Sequence, residues 1–302
     1  MNVPDKTNKL IEDDYQRTFD PSSPTSFLPG TSVEIIREPQ HFGKYTDVLF
    51  DFDGTLSLIR EGWPQVMVPM MVEILLKCGT DESQEELSKL VMEFVMRLTG
   101  KQTLYQMIQL RDEVVKRGGV PRDPLEYKNQ YNDLLMQRIS KRRDALASGE
   151  ATPSHYLVPG SLALLGNLIS RGCRCYLASG TDEVYVREEA ELLRIVPFFE
   201  DRIYGAKPDI LDFSKAMVIK SILSDHRIEG AQLLGFGDGY VEIENVKSVG
   251  GTAVAVASDE SGRSGTPDPW KRERLVGIGA DLVVPDFGEQ EHLISYLFDR
   301  SS

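Results

Sequence analysis

The hydrophobic rhythm of this chain changes three times. Residues 46–56, TDVLFDFDGTL, form a short apolar run that ends in acid and glycine, the pattern of a buried strand stopping at a loop. From Trp63 to about Ser148 the strand signal disappears and apolar residues recur at helical spacing. Examples are Val66/Met70/Ile74, Leu87/Leu90/Val91/Phe94/Val95/Leu98, Leu104/Met107/Ile108/Leu110/Val114 and Leu134/Leu135/Ile139. This block predicts about four helices, separated where Gly and Pro cluster at 79–83, 98–101 and 117–124. Pro69 is expected in the first turns of its helix or at a kink. After Pro159 the patterns alternate. PGSLALLGNLISRG reads as a helix, CRCYLASG as a strand, TDEVYVREEAELLRI and FSKAMVIKSILSD as helices, and AQLLGFGDG, TAVAVASDE and ADLVVPDF as strands before a last helix, EQEHLISYLF. Strand, helix, strand in that order predicts an α/β fold: a doubly wound, Rossmann-like parallel sheet interrupted after its first strand by an all-helical insert.

Residues 1–40, rich in Asp, Ser, Pro and Thr with little periodicity, are expected to be a flexible or loosely docked extension. The α/β core is then assigned to 41–60 and 156–302, and the helical insert to 61–155. A length of 302 residues agrees with about two folding units. With 41% hydrophobic and 27% charged residues and no apolar run near the roughly 18 needed to span a bilayer, no membrane segment is expected. The net charge of −13 repels a phosphate backbone and argues against sequence-independent binding of nucleic acid. The N-terminus lacks the basic and apolar regions of a secretory signal, which points to a cytoplasmic protein. Cys78, Cys173 and Cys175 are odd in number and lack metal-ligand spacing, so reduced structural thiols are expected.

In a sheet of this kind ligands bind at the carboxyl ends of the strands. Three strand ends carry polar clusters: Asp51-Phe52-Asp53-Gly54-Thr55, Ala178-Ser179-Gly180-Thr181 and Gly235-Phe236-Gly237-Asp238-Gly239. Asp51 and Asp53, two apart, point to one side while Phe52 points to the other. Two acids in one crevice repel, so the pair implies a divalent metal, an acid/base role, or both; the plainer alternative is a solvated acidic turn. His41, His155, His226 and His292 pair with no Asp or Ser motif, and no glycine-rich nucleotide loop is present.

DVLFDFDGTL resembles the first motif of the haloacid dehalogenase-like hydrolases, a superfamily of mostly magnesium-dependent phosphatases. CYLASGT is similar to the second motif, with Ser179 at the strand end, and LLGFGDGYVEIENV to the fourth, with Asp238 followed by Glu242 and Glu244. The resemblance covers about residues 45–295, and the helical block stands where capped members, of the phosphoglycolate phosphatase and β-phosphoglucomutase kind, carry a helical cap. For the third motif, a lysine, there are two candidates. Lys207 lies in AKPDI, whereas Lys215 opens the helix before the fourth motif. Lys215 is preferred because about one helix and one strand separate it from Asp238, whereas Lys207 leaves extra chain to absorb.

The resemblance implies Asp51 as nucleophile, Asp53 as general acid and base, and Ser179 and Lys215 as holders of phosphate oxygens. Thr55 and Gly180 are assigned to substrate binding. Mg²⁺ is the implied cofactor, held by Asp51, Asp53 through its backbone carbonyl, and Asp238. Asp53 also speaks against dehalogenation, because a departing halide needs no proton. The expected function is hydrolysis of a small phosphorylated metabolite, such as a sugar phosphate, through an aspartyl-phosphate. The alternatives are a phosphomutase on the same scaffold and a non-catalytic binding protein. Residues 101–150 hold more basic than acidic side chains; Arg111, Lys116, Arg138, Arg142 and Arg143 read either as a solvated face or as contacts for an anionic substrate.

Overall fold

A computed structural model describes residues 16–299. Its elements, in chain order, begin with β1 (Ser26–Phe27), β2 (Glu34–Ile35) and β3 (Asp47–Phe50), followed by α1 (Pro64–Leu76), α2 (Gln84–Arg97), α3 (Thr103–Lys116) and α4 (Pro124–Ser148). Next come α5 (Ser161–Ser170), β4 (Arg174–Asp182), α6 (Glu183–Leu192), α7 (Val196–Phe199), β5 (Ile203–Ala206), α8 (Lys215–His226) and β6 (Leu233–Gly237). The chain continues through α9 (Tyr240–Ser248), β7 (Thr252–Val256), α10 (Pro269–Ile278), β8 (Leu282–Val284) and α11 (Gln290–Phe298).

The eight strands make one sheet in the order β1-β2-β8-β7-β6-β3-β4-β5. Strand β3 is its hub. Its apolar residues Val48, Leu49 and Phe50 are buried, as expected of a parallel strand covered on both faces, and Asp47 is buried with them. Val48 pairs with Cys175 on one side and Leu234 on the other. Phe50 stacks on Phe236 with ring centroids 4.9 Å apart and meets Phe199 edge-on at 6.1 Å. Asp47, buried at the amino end of the strand, takes two bonds from Arg174, at 2.8 and 2.7 Å, and one from the Tyr176 hydroxyl at 2.9 Å. That charge is satisfied by structure alone. From β3 the chain order runs one way through β4 and β5 and the other through β6, β7 and β8, so the order reverses beside β3 and opens a crevice at its carboxyl end. Helix α9 packs on β6 and β7, α10 on β7, and α5 and α6 on β4.

The described chain divides into two compact units. One holds residues 62–140 and the other residues 16–61 and 141–299. The first is helical. Ser83 starts α2 with a reciprocal capping box, accepting from the Glu86 amide at 3.2 Å while its own amide donates to the Glu86 carboxylate at 2.8 Å. The apolar spacings give its core: Leu87, Val91, Phe94 and Val95 of α2 and Met107, Leu110 and Val114 of α3 are buried. Pro69 sits inside α1.

Three expectations need correction. Residues 16–40 are docked, not loose: β2 adds antiparallel to β8 and β1 to β2, making the sheet mixed instead of wholly parallel. The amides of Thr18 and Phe19 donate to Gly277 O, and Arg272 is paired with the buried Glu34 carboxylate. Strands of two residues are too short to show a period. The part of the extension before residue 16 lies outside the described residues. Second, Glu61 and residues 141–155 cluster with the α/β unit, because Arg142 bonds the Ile59 and Glu61 carbonyls, each at 2.8 Å, and Arg143 reaches Glu188 at 2.6 Å. Third, β4 runs on to Asp182 instead of ending at Gly180. The sequence reading also passes over β5, α7 and α10. Among the described residues no helix is long and apolar enough to cross a membrane. Cys173 and Cys175 are free and buried, and burial pushes their thiols up to about 11 and about 12.

Candidate active site

Beyond Phe50 the ladder continues for one bond, Asp51 N to Phe236 O at 2.9 Å, and then the chain turns tightly. The amides of Leu56 and Ser57 return to Phe52 O at 2.9 and 2.8 Å. Gly54 takes φ +76°, and a Cβ there would run into the Asp238 carboxylate, so both the turn and the close approach require glycine. Asp51 is buried at the floor of this loop. Lys215, also buried, donates to Asp51 Oδ1 at 2.8 Å and is ion-paired with the buried Glu242 on its other side. Lys215 starts α8, whose N-cap is Ser214. Lys207, by contrast, pairs with Glu183 at 2.8 Å and is 43% exposed.

Asp53 is held by the second strand end. Its Oδ2 accepts from Thr181 Oγ1 at 2.8 Å and from Ser179 Oγ at 3.3 Å, and Ser179 Oγ accepts the Thr181 amide at 3.1 Å. Gly180 lies half-buried between the two. The extra length of β4 is what brings Thr181 to Asp53. Among the described residues Asp53 Oδ1 has no hydrogen-bond donor; the Arg60 guanidinium stands 3.7 Å from it. Arg60 is itself fixed by a two-pronged bond to the fully buried Glu189, at 3.0 and 2.8 Å, and lies over the Tyr185 ring.

Asp238, at the third strand end, has Thr55 Oγ1 at 3.5 Å from Oδ1 and Lys271 Nζ at 2.8 Å from Oδ2. The Lys271 ammonium also reaches Glu260 at 2.7 Å and Ser258 Oγ at 3.0 Å. Arg60, Glu189, Glu260 and Lys271 are absent from the sequence reading, and Thr181, part of its second strand-end cluster, carries no role there. The start of α10 had a local signal, though not the place of Lys271 in the site: Asp268-Pro269 is an N-cap followed by proline at the first helical position, and Asp268 accepts the Lys271 amide at 2.8 Å. Of the basic residues of 101–150, Arg111, Lys116, Arg142 and Arg143 are paired with acids.

Burial sets the electrostatics. It pushes Asp51 up to about 6, opposed by Lys215 and assisted by Asp238. It pushes Asp53 up to about 7, opposed by Arg60 and assisted by Glu189 and Asp51. For Lys271 burial acts against the charge, but Asp238 and Glu260 outweigh it and the ammonium is held above its usual range. Among the described residues, ion pairs through the site join six carboxylates (Asp51, Asp53, Glu189, Asp238, Glu242, Glu260) to Arg60, Arg143, Lys215 and Lys271. The side chains at the strand ends offer only oxygen donors, the kind a hard divalent cation such as Mg²⁺ takes, although among the described residues no group of three or more His, Cys, Asp or Glu side chains is gathered as a metal cluster.

An unfolded aspartate titrates near 3.8, so folded Asp53 binds the extra proton between about 4 and about 7, and stability falls as pH rises through that window. In EDTA the melting temperature is therefore expected to drop between pH 5 and pH 8, and Asp53→Asn to remove part of the drop. A quarter of the side chain still meets solvent, which limits the gain at pH 8 to about 1 kcal/mol. Equal drops in both proteins would show that Asp53 is not the group that titrates.

No protein-family model matches the sequence, and comparison with curated proteins finds no match. Solved structures do match in fold. A β-phosphoglucomutase from Clostridium difficile superposes with a TM-score of 0.55 at 14% identity, covering 84% of this chain and 98% of its own. A predicted phosphoglycolate phosphatase from Haemophilus somnus gives 0.53 at 15%, covering 83% and 98%. A haloacid dehalogenase-like protein of unknown function from Agrobacterium tumefaciens gives 0.53 at 15%, also covering 83% and 98%. A sheet that reverses order beside β3, a helical unit inserted directly after that strand, and acids at the strand ends together give this chain the haloacid dehalogenase-like fold.

Proposed function

We propose that the protein is a Mg²⁺-dependent phosphatase that hydrolyses a small phosphorylated metabolite through an aspartyl-phosphate on Asp51. The reading is carried by one arrangement: a buried carboxylate, Asp51, with a buried lysine 2.8 Å away and a second acid, Asp53, two residues on that keeps its proton to about 7. Asp51 attacks phosphorus in line, the ester P–O bond breaks, and Asp53 gives its proton to the departing alkoxide. Asp53, now a carboxylate, takes a proton from water as the water oxygen attacks the phosphoenzyme; phosphate leaves and both acids return to their starting state. Lys215 and the Ser179 hydroxyl hold phosphate oxygens, one as a point charge and the other as a hydrogen-bond donor. Thr181 and Arg60 keep Asp53 aimed, while Thr55, two residues after it, and Gly180, between Ser179 and Thr181 in β4, are assigned to substrate binding. Mg²⁺, held by Asp51, the Asp53 carbonyl and Asp238, supplies neutralising charge to the phosphate when bound.

The test is a panel of phosphate esters assayed with Mg²⁺ and with EDTA. Phosphate release that needs the metal is expected, with Lys215→Ala lowering turnover by about 100-fold or more and Lys207→Ala leaving it near wild type. Release indifferent to EDTA would overturn the mechanism, and loss of turnover in Lys207→Ala alone would reassign the lysine. Interconversion of hexose 1- and 6-phosphates with little free phosphate would make it a phosphomutase.

A further inference from the structure

We propose that Lys271 makes Asp238 a one-oxygen ligand and so selects Mg²⁺ against Ca²⁺, an inference that rests on the metal reading above. The two oxygens of Asp238 are unequal. Oδ2 lies 2.8 Å from Lys271 Nζ on the side where Gly54 approaches so closely that no Cβ fits, whereas Oδ1 has the Thr55 hydroxyl at 3.5 Å. The ammonium is held on three sides, by Asp238, by Glu260 at 2.7 Å and by Ser258 Oγ at 3.0 Å, which uses its three donors. Ser258 in turn donates to Gly54 O at 2.6 Å, tying the lysine to the loop that carries Asp51 and Asp53. At the other end Asp268 caps the Lys271 amide, so backbone and ammonium are both fixed.

Mg²⁺ takes six ligands in a near-ideal octahedron, one oxygen from each carboxylate, whereas Ca²⁺ takes six to eight and gains from carboxylates that offer both oxygens. With Oδ2 committed to Lys271, Asp238 has one oxygen to give. Glu260 balances the lysine's charge, so removing both residues leaves the local net charge unchanged and isolates the orientation of Asp238 from simple attraction.

Titration of the full chain with MgCl₂ and with CaCl₂ by calorimetry tests this without relying on turnover. In Lys271→Met/Glu260→Gln the Ca²⁺ affinity relative to Mg²⁺ is expected to rise by about tenfold, while Lys271→Arg, which keeps a donor on Oδ2, retains the wild-type preference. If the double variant does not fold, Lys271→Gln, too short to reach Oδ2, carries the same expectation. A ratio within about twofold of wild type, with Mg²⁺ still bound, overturns the role of Lys271 and leaves the metal site standing. A wild-type protein that binds neither ion overturns both.

Discussion

Asp51→Asn is expected to lower phosphate release by about 10⁴-fold or more, because an amide oxygen is too poor a nucleophile to form the phosphoenzyme. The fold should survive it. Asp51 is buried, and its burial already works against the charge, so a neutral residue of the same shape relieves a cost; Lys215 keeps Glu242 as an ionic partner. The melting temperature in EDTA is therefore expected to stay level or rise. Loss of activity without loss of stability separates a missing nucleophile from a broken core. Turnover within about tenfold of wild type would remove Asp51 from the chemistry.

The largest effect on stability is expected at Arg60. Its guanidinium is buried, bonded twice to Glu189, itself fully buried, and it is the cation beside Asp53. Arg60→Met takes both hydrogen bonds from the buried Glu189 and leaves it the more distant Arg143, at 3.9 Å, which costs up to about 3–5 kcal/mol. Urea denaturation reads this directly. Adding Glu189→Gln removes the stranded charge and should recover part of the loss, while turnover stays low because Asp53 has lost its neighbouring cation. A loss under about 1 kcal/mol in the single variant would mean that water reaches Glu189.

What the sequence made legible follows from where the information lies. Asp51, Asp53, Ser179 and Asp238 each sit directly after an apolar run, so the rule that places ligands at strand ends finds them from local pattern alone. Lys215 needed one further argument, the chain length between a helix start and a strand end, and its ammonium lies 2.8 Å from Asp51. Arg60, Glu189 and Lys271 belong to another category. Nothing local marks a lysine in the first turn of α10 or a glutamate on the buried face of α6 as neighbours of the site; tertiary pairing alone brings them there. The helical unit was legible because three-to-four-residue spacing persists over many turns, and β1 and β2 were not because two residues carry no period.

The short strand β2 has a consequence outside the chemistry. Strand β8, Leu282-Val283-Val284, is apolar and wholly buried, and β2 bonds along its outer side. Without that cover its amides and carbonyls would form an open edge, a template on which another copy can pair strand to strand. Glu34, a charge within β2 held by Arg272, is a poor residue for such pairing. The segment before the first core strand thus shields that edge: a chain cut back to β3 is expected to keep its strand-end acids and to self-associate more readily.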